Sequence, residues 1–367
     1  MISYIIPTRD RHLELAQTID RIRALGDHAE VEGAEIIVAD NASKAPVRPD
    51  EHGVVPARVI RLEANRGAAA RNAAAEQADP RSDWLVMLDD DSHPLDTGFL
   101  AALTRAPEAA AVIAADITLP DGSRERGGLP EVPVGCGMAV RARVFRELGG
   151  YDAAFGYYVE ESDLMARLIA GGWVSVFEPA FRVMHRKVAS NRDFAAILFR
   201  LVRNNGWLLR RYAPEHVYES SLAAMLARYG AIAVRERVED AFDQANRTLA
   251  ASIDRQERTP LDDPFWDRFT GHAAALEALA PFGGLSAAII EPGKHVEEIE
   301  RAIHAADLNA VSEPVRADLL IIGTLSPGPM LDAMARLGGD ARIVAPWRAA
   351  DRFRPAAGRT RPPRRAG

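Results

Sequence analysis

The sequence predicts an α/β protein: a mostly parallel sheet with flanking helices, followed by a helical segment and a small second α/β unit. Three observations carry this. Short β-rich runs alternate with helical patterns through the first half, which calls for crossover helices over a parallel sheet. From residue 191 to about 282 the apolar spacing is almost wholly helical, punctuated by Pro214, Pro260, Pro264 and Pro281. Beyond that, strand-like and helix-like runs alternate again.

Taken in order, residues 3–7 read as the first strand and 13–25 as a helix with apolar residues at helical spacing. EIIVAD at 35–40 is a second strand and 57–62 a third. An alanine-rich helix follows at 66–78, and WLVML at 84–88 is a fourth strand. Residues 111–117 and 132–140 read as further strands. Near the C-terminus 287–290, 318–322 and 341–345 read as strands, and 296–306 and 330–337 as helices. The expected division is 1–210 for the main domain, 211–283 for the helical segment and 284–350 for the small α/β unit. That unit has no glycine-rich phosphate loop. A basic tail at 351–367, rich in Pro, Gly and Arg, is expected to be disordered.

Composition narrows the function. Of the 367 residues, 48% are hydrophobic and 26% charged, ordinary for a globular protein. The tail holds six arginines and no acid from Arg352 onward, so the net charge of −7 leaves −13 on the rest. An acidic body argues against nucleic acid as a partner. The single cysteine, Cys136, excludes a disulfide framework and a cysteine zinc site, and fits a cytoplasmic protein. No signal-peptide pattern opens the chain, and no apolar run approaches the roughly 18 residues of a spanning helix. Residues 194–213 mix apolar side chains with Arg200, Arg203, Arg210 and Arg211. That segment reads either as a helix packed on the domain with arginines at its rim, or as an interfacial helix giving peripheral contact at the inner membrane face.

Ligands on parallel sheets sit beyond the carboxyl ends of the strands. Polar clusters fall there after Ile6, Ala39 and Leu88. Asp89-Asp90-Asp91 is the strongest: adjacent carboxylates repel, and a divalent cation offsets that cost, Mg²⁺ or Mn²⁺ suiting oxygen ligands. A solvated acidic turn is the other reading. Asp40-Asn41 can hold a nucleobase or ribose, or form an Asx turn. Arg66 and Arg71 flank a helix start whose Gly67 and alanines allow close approach of a ligand, a phosphate among them. Glu160, Glu161 and Asp163 crowd the start of another helix. They suit either a general base or the helix dipole. His185 follows a strand pattern, and Cys136 between glycines reads as a small core residue.

In order along the chain, IIPTRDR (5–11), IIVADNAS (36–43), EANRGAAARN (63–72), WLVMLDDDS (84–92), GCGMAVRARVFRELGGYDAAF (135–155), VEESDLMARL (159–168) and VMHRKVAS (183–190) resemble the family-2 glycosyltransferases of GT-A fold, bacterial rhamnosyltransferase-like members among them. The resemblance covers about 1–210. It implies an inverting transfer of a sugar from a UDP- or dTDP-sugar to an acceptor hydroxyl on a saccharide, lipid or small molecule, with Mn²⁺ or Mg²⁺. It implies that Pro7, Thr8, Arg11 and Asp40 line the nucleotide pocket, supported by Arg66 and Arg71. Asp89 and Asp90 would lie against the nucleotide sugar, Asp91 and His185 at the metal, and Gly137 in the floor under the sugar. Glu161 would be the base with Asp163 beside it, where the family often has Glu-Asp. Two other classes stay open: a nucleotide-sugar-binding protein without strong catalysis, and a phosphatase with DxD after a strand.

Overall fold

The computed structural model describes residues 1–26, 28–48, 53–187 and 193–348. The basic tail lies outside them, as does the end of the motif at 183–190. The first half runs β1 (Ile2–Thr8), α1 (His12–Arg23), β2 (Ala34–Asp40), β3 (Ala57–Arg61), α2 (Ala70–Glu76), β4 (Trp84–Met87), β5 (Ser92–Pro94), α3 (Gly98–Arg105), β6 (Ala110–Thr118), β7 (Met138–Arg141), α4 (Ala142–Glu147), α5 (Glu160–Ala170) and β8 (Val174–His185). The strands form one eight-stranded sheet in the order β3-β2-β1-β4-β7-β6-β8-β5. β1 and β2 are buried at every residue, as strands covered on both faces must be. β3, β2, β1 and β4 are parallel, while β7 runs antiparallel to both neighbours.

The chain builds outward from β1 through β2 to β3, then returns to place β4 on the other flank of β1. A crevice therefore opens between the carboxyl ends of β1 and β4. Pro7 is tolerated in this central strand for the same reason. Pairing with β4 ends at Ile5–Met87, so no partner on that side needs the missing N–H.

Three elements differ from expectation. The strand read at 132–140 starts only at Met138, because Gly137 sits in a turn, its N–H donating to the Val134 carbonyl. β5 is three residues long and carries no periodic signal. β8 is long but bulged. Its register with β6 jumps from Ala115–Glu178 to Asp116–Arg182 around Pro179, which hides its alternation.

The second half runs α6 (Phe194–Tyr212), α7 (Glu215–Glu236), α8 (Glu239–Ser252), α9 (Asp263–Thr270), α10 (His272–Leu279), β9 (Ser286–Ile290), α11 (Val296–Ala305), β10 (Asn309–Ala310), β11 (Leu319–Ile322), α12 (Pro327–Leu337) and β12 (Ile343–Val344). Its four strands are parallel in the order β10-β9-β11-β12. No helix among the described residues is long and apolar enough to cross a membrane. α6 is packed into the molecule: Leu198, Val202, Trp207 and Leu208 are buried. Its Arg203 lies over Trp207 and its Arg211 bonds Asp152 and Asp163. These contacts favour the packed reading of 194–213.

The C-terminal unit is bound to the main sheet by specific contacts. Arg124 pairs with Asp332 of α12 at 2.8 Å. Ser326 Oγ donates to the carbonyls of Arg126 and Gly128 at 3.3 and 3.2 Å. Trp347 meets Phe177 edge to face.

Candidate active site

The crevice between β1 and β4 gathers the acids and the cations that hold them. Thr8, the last residue of β1, donates its hydroxyl to Asp90 Oδ2 at 2.8 Å. Arg11 follows the strand and bridges two acids, lying 3.2 Å from Asp90 and 2.6 Å from Asp91. Asp90 and Asp91 are buried while Asp89 keeps a side chain 39% exposed. Burial pushes the Asp90 carboxyl up to about 7, against the pull of Arg11 and Thr8. Burial acts on Asp91 too, but His185 and Arg11 outweigh it and hold its carboxyl well below the usual range. Asp89 pairs with Arg71, a buried guanidinium that also donates to the Leu88 carbonyl. The arginine thus couples α2 to the end of β4.

His185 ends β8 beside these acids. Its Nε2 lies 3.4 Å from Asp91 Oδ1, and its Nδ1 lies 2.9 Å from Glu125 Oε2. Burial opposes the charge on this ring, but Asp91, Cys136 and Glu125 raise its pKa to about 12. Glu125, bonded also by Lys187 at 2.9 Å, is drawn down to about 2 by His185 and Lys187 in spite of burial. Asp89, Cys136 and His185 bring one ligand atom each within 4.8 Å of one another. Burial raises the Cys136 thiol, so it stays protonated and the hard donors are the aspartates and the imidazole. That donor set fits a divalent cation. Asp89 and His185 would be its hard donors there, with Asp91 3.4 Å from the same imidazole, and loading would displace the imidazolium proton.

Glu160 and Glu161 open α5 after an unusual turn. Tyr158 and Val159 take φ of 70° and 73°, a strained conformation for a β-branched residue. Asn204, fully buried on α6, donates its amide to the carbonyls of Phe155, Tyr157 and Tyr158 and holds the turn closed. One carboxylate oxygen of each glutamate is buried without a hydrogen-bond partner. Burial raises both carboxyls above the usual range, and for Glu160 the charge of Glu161 comes next. Arg71 acts on both as the nearby cation, so the same arginine faces Asp89 and the pair. A Cβ on Gly135 would stand 3.7 Å from Glu161 Oε1, so this glycine lies beside that carboxylate.

Several expected site residues have other work. Asp40 accepts from the N–H groups of Ser43 and Val47 and pairs with Arg61, which is the turn-forming role. Arg66 has an exposed side chain and contributes its backbone N–H to Asn41. Gly67 was expected to let a ligand approach; it lets the Gly156 backbone approach instead. A Cβ there would fall 2.3 Å from the Gly156 carbonyl oxygen, at a φ of 61°. Gly137 does not face the crevice floor freely, since a Cβ would meet the Ile117 side chain at 2.8 Å. Asp163 is fully buried, its oxygens taken by Arg167, Arg211 and Tyr212. Its carboxylate does not cap its own helix. It borders a recess of about 650 Å³ lined also by Arg167, Arg211 and Tyr212, apart from the Asp89–Asp91 crevice. Glu125 and the contact of Cys136 with His185 had no sequence signal, since each depends on a loop or strand end from elsewhere in the chain.

A doubly wound sheet with acids, arginines and a histidine at its switch point defines an α/β protein with a polar, charged crevice where such sheets bind their ligands. Residues 3–149 match the model of Glycosyl transferase family 2. An N-acetylglucosaminyl-diphospho-decaprenol L-rhamnosyltransferase of Mycobacterium tuberculosis is 36% identical over 80 residues, 19% of this chain and 26% of that protein. An uncharacterized glycosyltransferase of Haemophilus influenzae is 34% identical over 92 residues, 25% of this chain and 29% of that one. The chain thus aligns with little more than a quarter of the length of these relatives. Among solved structures, a mannosyltransferase of Pyrobaculum calidifontis in complex with GDP-Man and Mn²⁺ is similar at TM-score 0.45 and 15% identity, over 74% of this chain and 84% of that one.

Proposed function

We propose that the protein is an inverting, metal-dependent glycosyltransferase acting on a UDP- or dTDP-sugar and an acceptor hydroxyl. One observation carries this reading. The acids at the switch point, held by Thr8, Arg11 and Arg71, face a glutamate pair with unpartnered oxygens across the same arginine. Asp91 and His185, with Asp89, would hold the metal; when bound it offsets negative charge on the departing diphosphate. Arg11 supports the acids and orients Asp91. Glu161 takes the proton of the acceptor hydroxyl as its oxygen attacks the anomeric carbon. One displacement from the face opposite the leaving group inverts configuration, and no covalent nucleophile is required. Asp163 belongs to the scaffold in this reading.

The test is turnover. With Mn²⁺ the protein should consume one nucleotide sugar from a panel, and EDTA should abolish the activity. Asp91→Asn should be inactive yet still fold, with a lowered melting point because Arg11 and His185 lose their buried partner. Full turnover in chelator sinks metal dependence, and binding of nucleotide sugar without turnover of any acceptor returns the protein to the binding class.

A further inference from the structure

The turn that delivers Glu161 sits in a backbone conformation its own residues resist. Gly156, Tyr158 and Val159 take φ of 71°, 70° and 73°. Glycine adopts such angles freely, but a Cβ there crowds the backbone carbonyl, and a β-branched residue such as Val159 is seldom found in that region. Val159 stands at the N-cap of α5 and offers no side-chain cap. Left to itself, the segment would relax to negative φ. The first turn of α5 would then rotate, and Glu160 and Glu161 with it. Such strain persists only where the surroundings hold it.

One face of α6 does the holding. The Asn204 amide reaches the carbonyls of Phe155, Tyr157 and Tyr158 at 3.0, 3.0 and 2.7 Å. Its oxygen accepts from Arg203 Nε at 2.9 Å, which sets the orientation of the amide with its N–H groups toward the turn. Arg203 also donates to the Phe155 carbonyl at 3.1 Å. About one helical turn further along, Trp207 meets Phe155 edge to face. About two turns along, Arg211 and Tyr212 bond Asp163 at 2.9 and 2.7 Å. From the opposite side the Gly156 carbonyl accepts from Ala68 N–H at 2.7 Å, and the Tyr157 hydroxyl accepts from Asn41 at 3.3 Å. The turn is thus clamped between the segment that opens α2 and the buried face of α6, and Glu161 leaves it beside Gly135. The α6 half of the clamp lies beyond the residues that match the family model.

We propose that Asn204 is a positioning residue for Glu161: by locking the turn at 155–159 it fixes the direction of that carboxylate. A base must be held within hydrogen-bond reach of the acceptor hydroxyl, and a misplacement of about 1 Å can cost about 100-fold in rate. The acids of the Asp89–Asp91 crevice are held by Thr8, Arg11 and Arg71, none of them on α6. Loss of the clamp therefore spares the donor side and falls on the proton transfer. The role rests on the transfer reading, because it takes Glu161 as the base.

Two measurements on the full chain test this. Hydrogen exchange followed by mass spectrometry reads the clamp without any turnover. Asn204→Ala should speed exchange about tenfold or more in the peptide spanning 155–163, where Asp163 N–H bonds the Val159 carbonyl, and leave β1 and β2 protected. Unchanged exchange in that peptide overturns the proposal. So does an equal loss of protection in β1 and β2, which marks a general loss of stability. Kinetics reads the coupling to Glu161. With saturating nucleotide sugar and Mn²⁺, Asn204→Ala should lower kcat about tenfold or more, while calorimetry shows the stoichiometry and Kd for the nucleotide sugar unchanged. In a Glu161→Gln background the same substitution should cost nothing further, because a residue acting only through that carboxylate has no effect once it is gone. Losses that add, or a wild-type kcat in Asn204→Ala, overturn the positioning role. If the wild type turns over no nucleotide sugar, the transfer reading falls, and the exchange result still decides whether Asn204 locks the turn that carries Glu161.

Discussion

At the scale of single residues, two acids two positions apart in one helix have opposite environments. Glu161 keeps an unpartnered oxygen and a raised proton affinity, as a general base needs. Asp163 is fully buried, between two arginines and a tyrosine hydroxyl. Glu161→Gln should therefore leave nucleotide-sugar binding nearly intact and cut the transfer rate by about 100-fold or more. Single-turnover rates beside a binding isotherm check this. Asp163→Asn should instead lower stability by about 3 kcal/mol, because it leaves Arg167 and Arg211 short of their buried partner. Urea unfolding measures it. A Glu161→Gln enzyme at full rate together with a folded but dead Asp163→Asn would exchange the two roles. The raised Glu161 also fixes the sign of the pH profile: the rate should fall on the acid side at a pH above the usual glutamate range, and Glu161→Gln should remove that limb.

At the scale of elements, the start of α12 acts on the site through the loop at 124–128. A Cβ on Gly328 would fall 2.2 Å from the Glu125 carbonyl oxygen, too close to be accommodated without moving that loop. Glu125 in turn orients His185. Gly328→Ala should weaken Mn²⁺ binding by about tenfold, as loss of a supporting contact to a metal ligand does. Electron paramagnetic resonance of free Mn²⁺ reads this without turnover. An unchanged affinity would mean that α12 fixes the loop without steering His185. The element boundaries themselves were largely legible from periodicity: β1, β2 and β4 fall within a residue or so of expectation. β5 and the bulged β8 were not, since a three-residue strand has no period and a bulge interrupts one.

For the whole molecule, stability should depend on acid pH with a definite sign. Asp40 is held below its usual range: burial opposes this, but the Ser43 and Val47 N–H groups and Arg61 prevail. Asp152 is lowered likewise by Ala154 N–H and Arg211 against burial. A carboxylate lowered on folding contributes stability above its unfolded pKa and loses it as pH falls through the folded one. Glu160, raised by burial and then by Glu161, works oppositely and costs stability as pH rises past its ordinary value of 4.5. The urea midpoint should drop as pH falls below about 4, and Asp40→Asn should flatten that drop. An equal slope in the variant would show that Asp40 does not contribute.

The sequence by itself determined the fold class, the resemblance carried by its ordered motifs and the three carboxyl-end clusters. These follow from local facts: hydrophobic period, turn chemistry, and the chain positions of polar residues after strands. It could not decide which polar residue in each cluster is spent on the scaffold. Asp40, Gly137 and Asp163 look like site residues in one dimension. They are committed to Arg61, Ile117 and the Arg167–Arg211 pair only once distant segments fold against them. The same holds for Glu125 on His185, a pair 60 positions apart. Partner choice for a charged side chain is set by what burial and neighbours leave available, and only the tertiary structure supplies those neighbours.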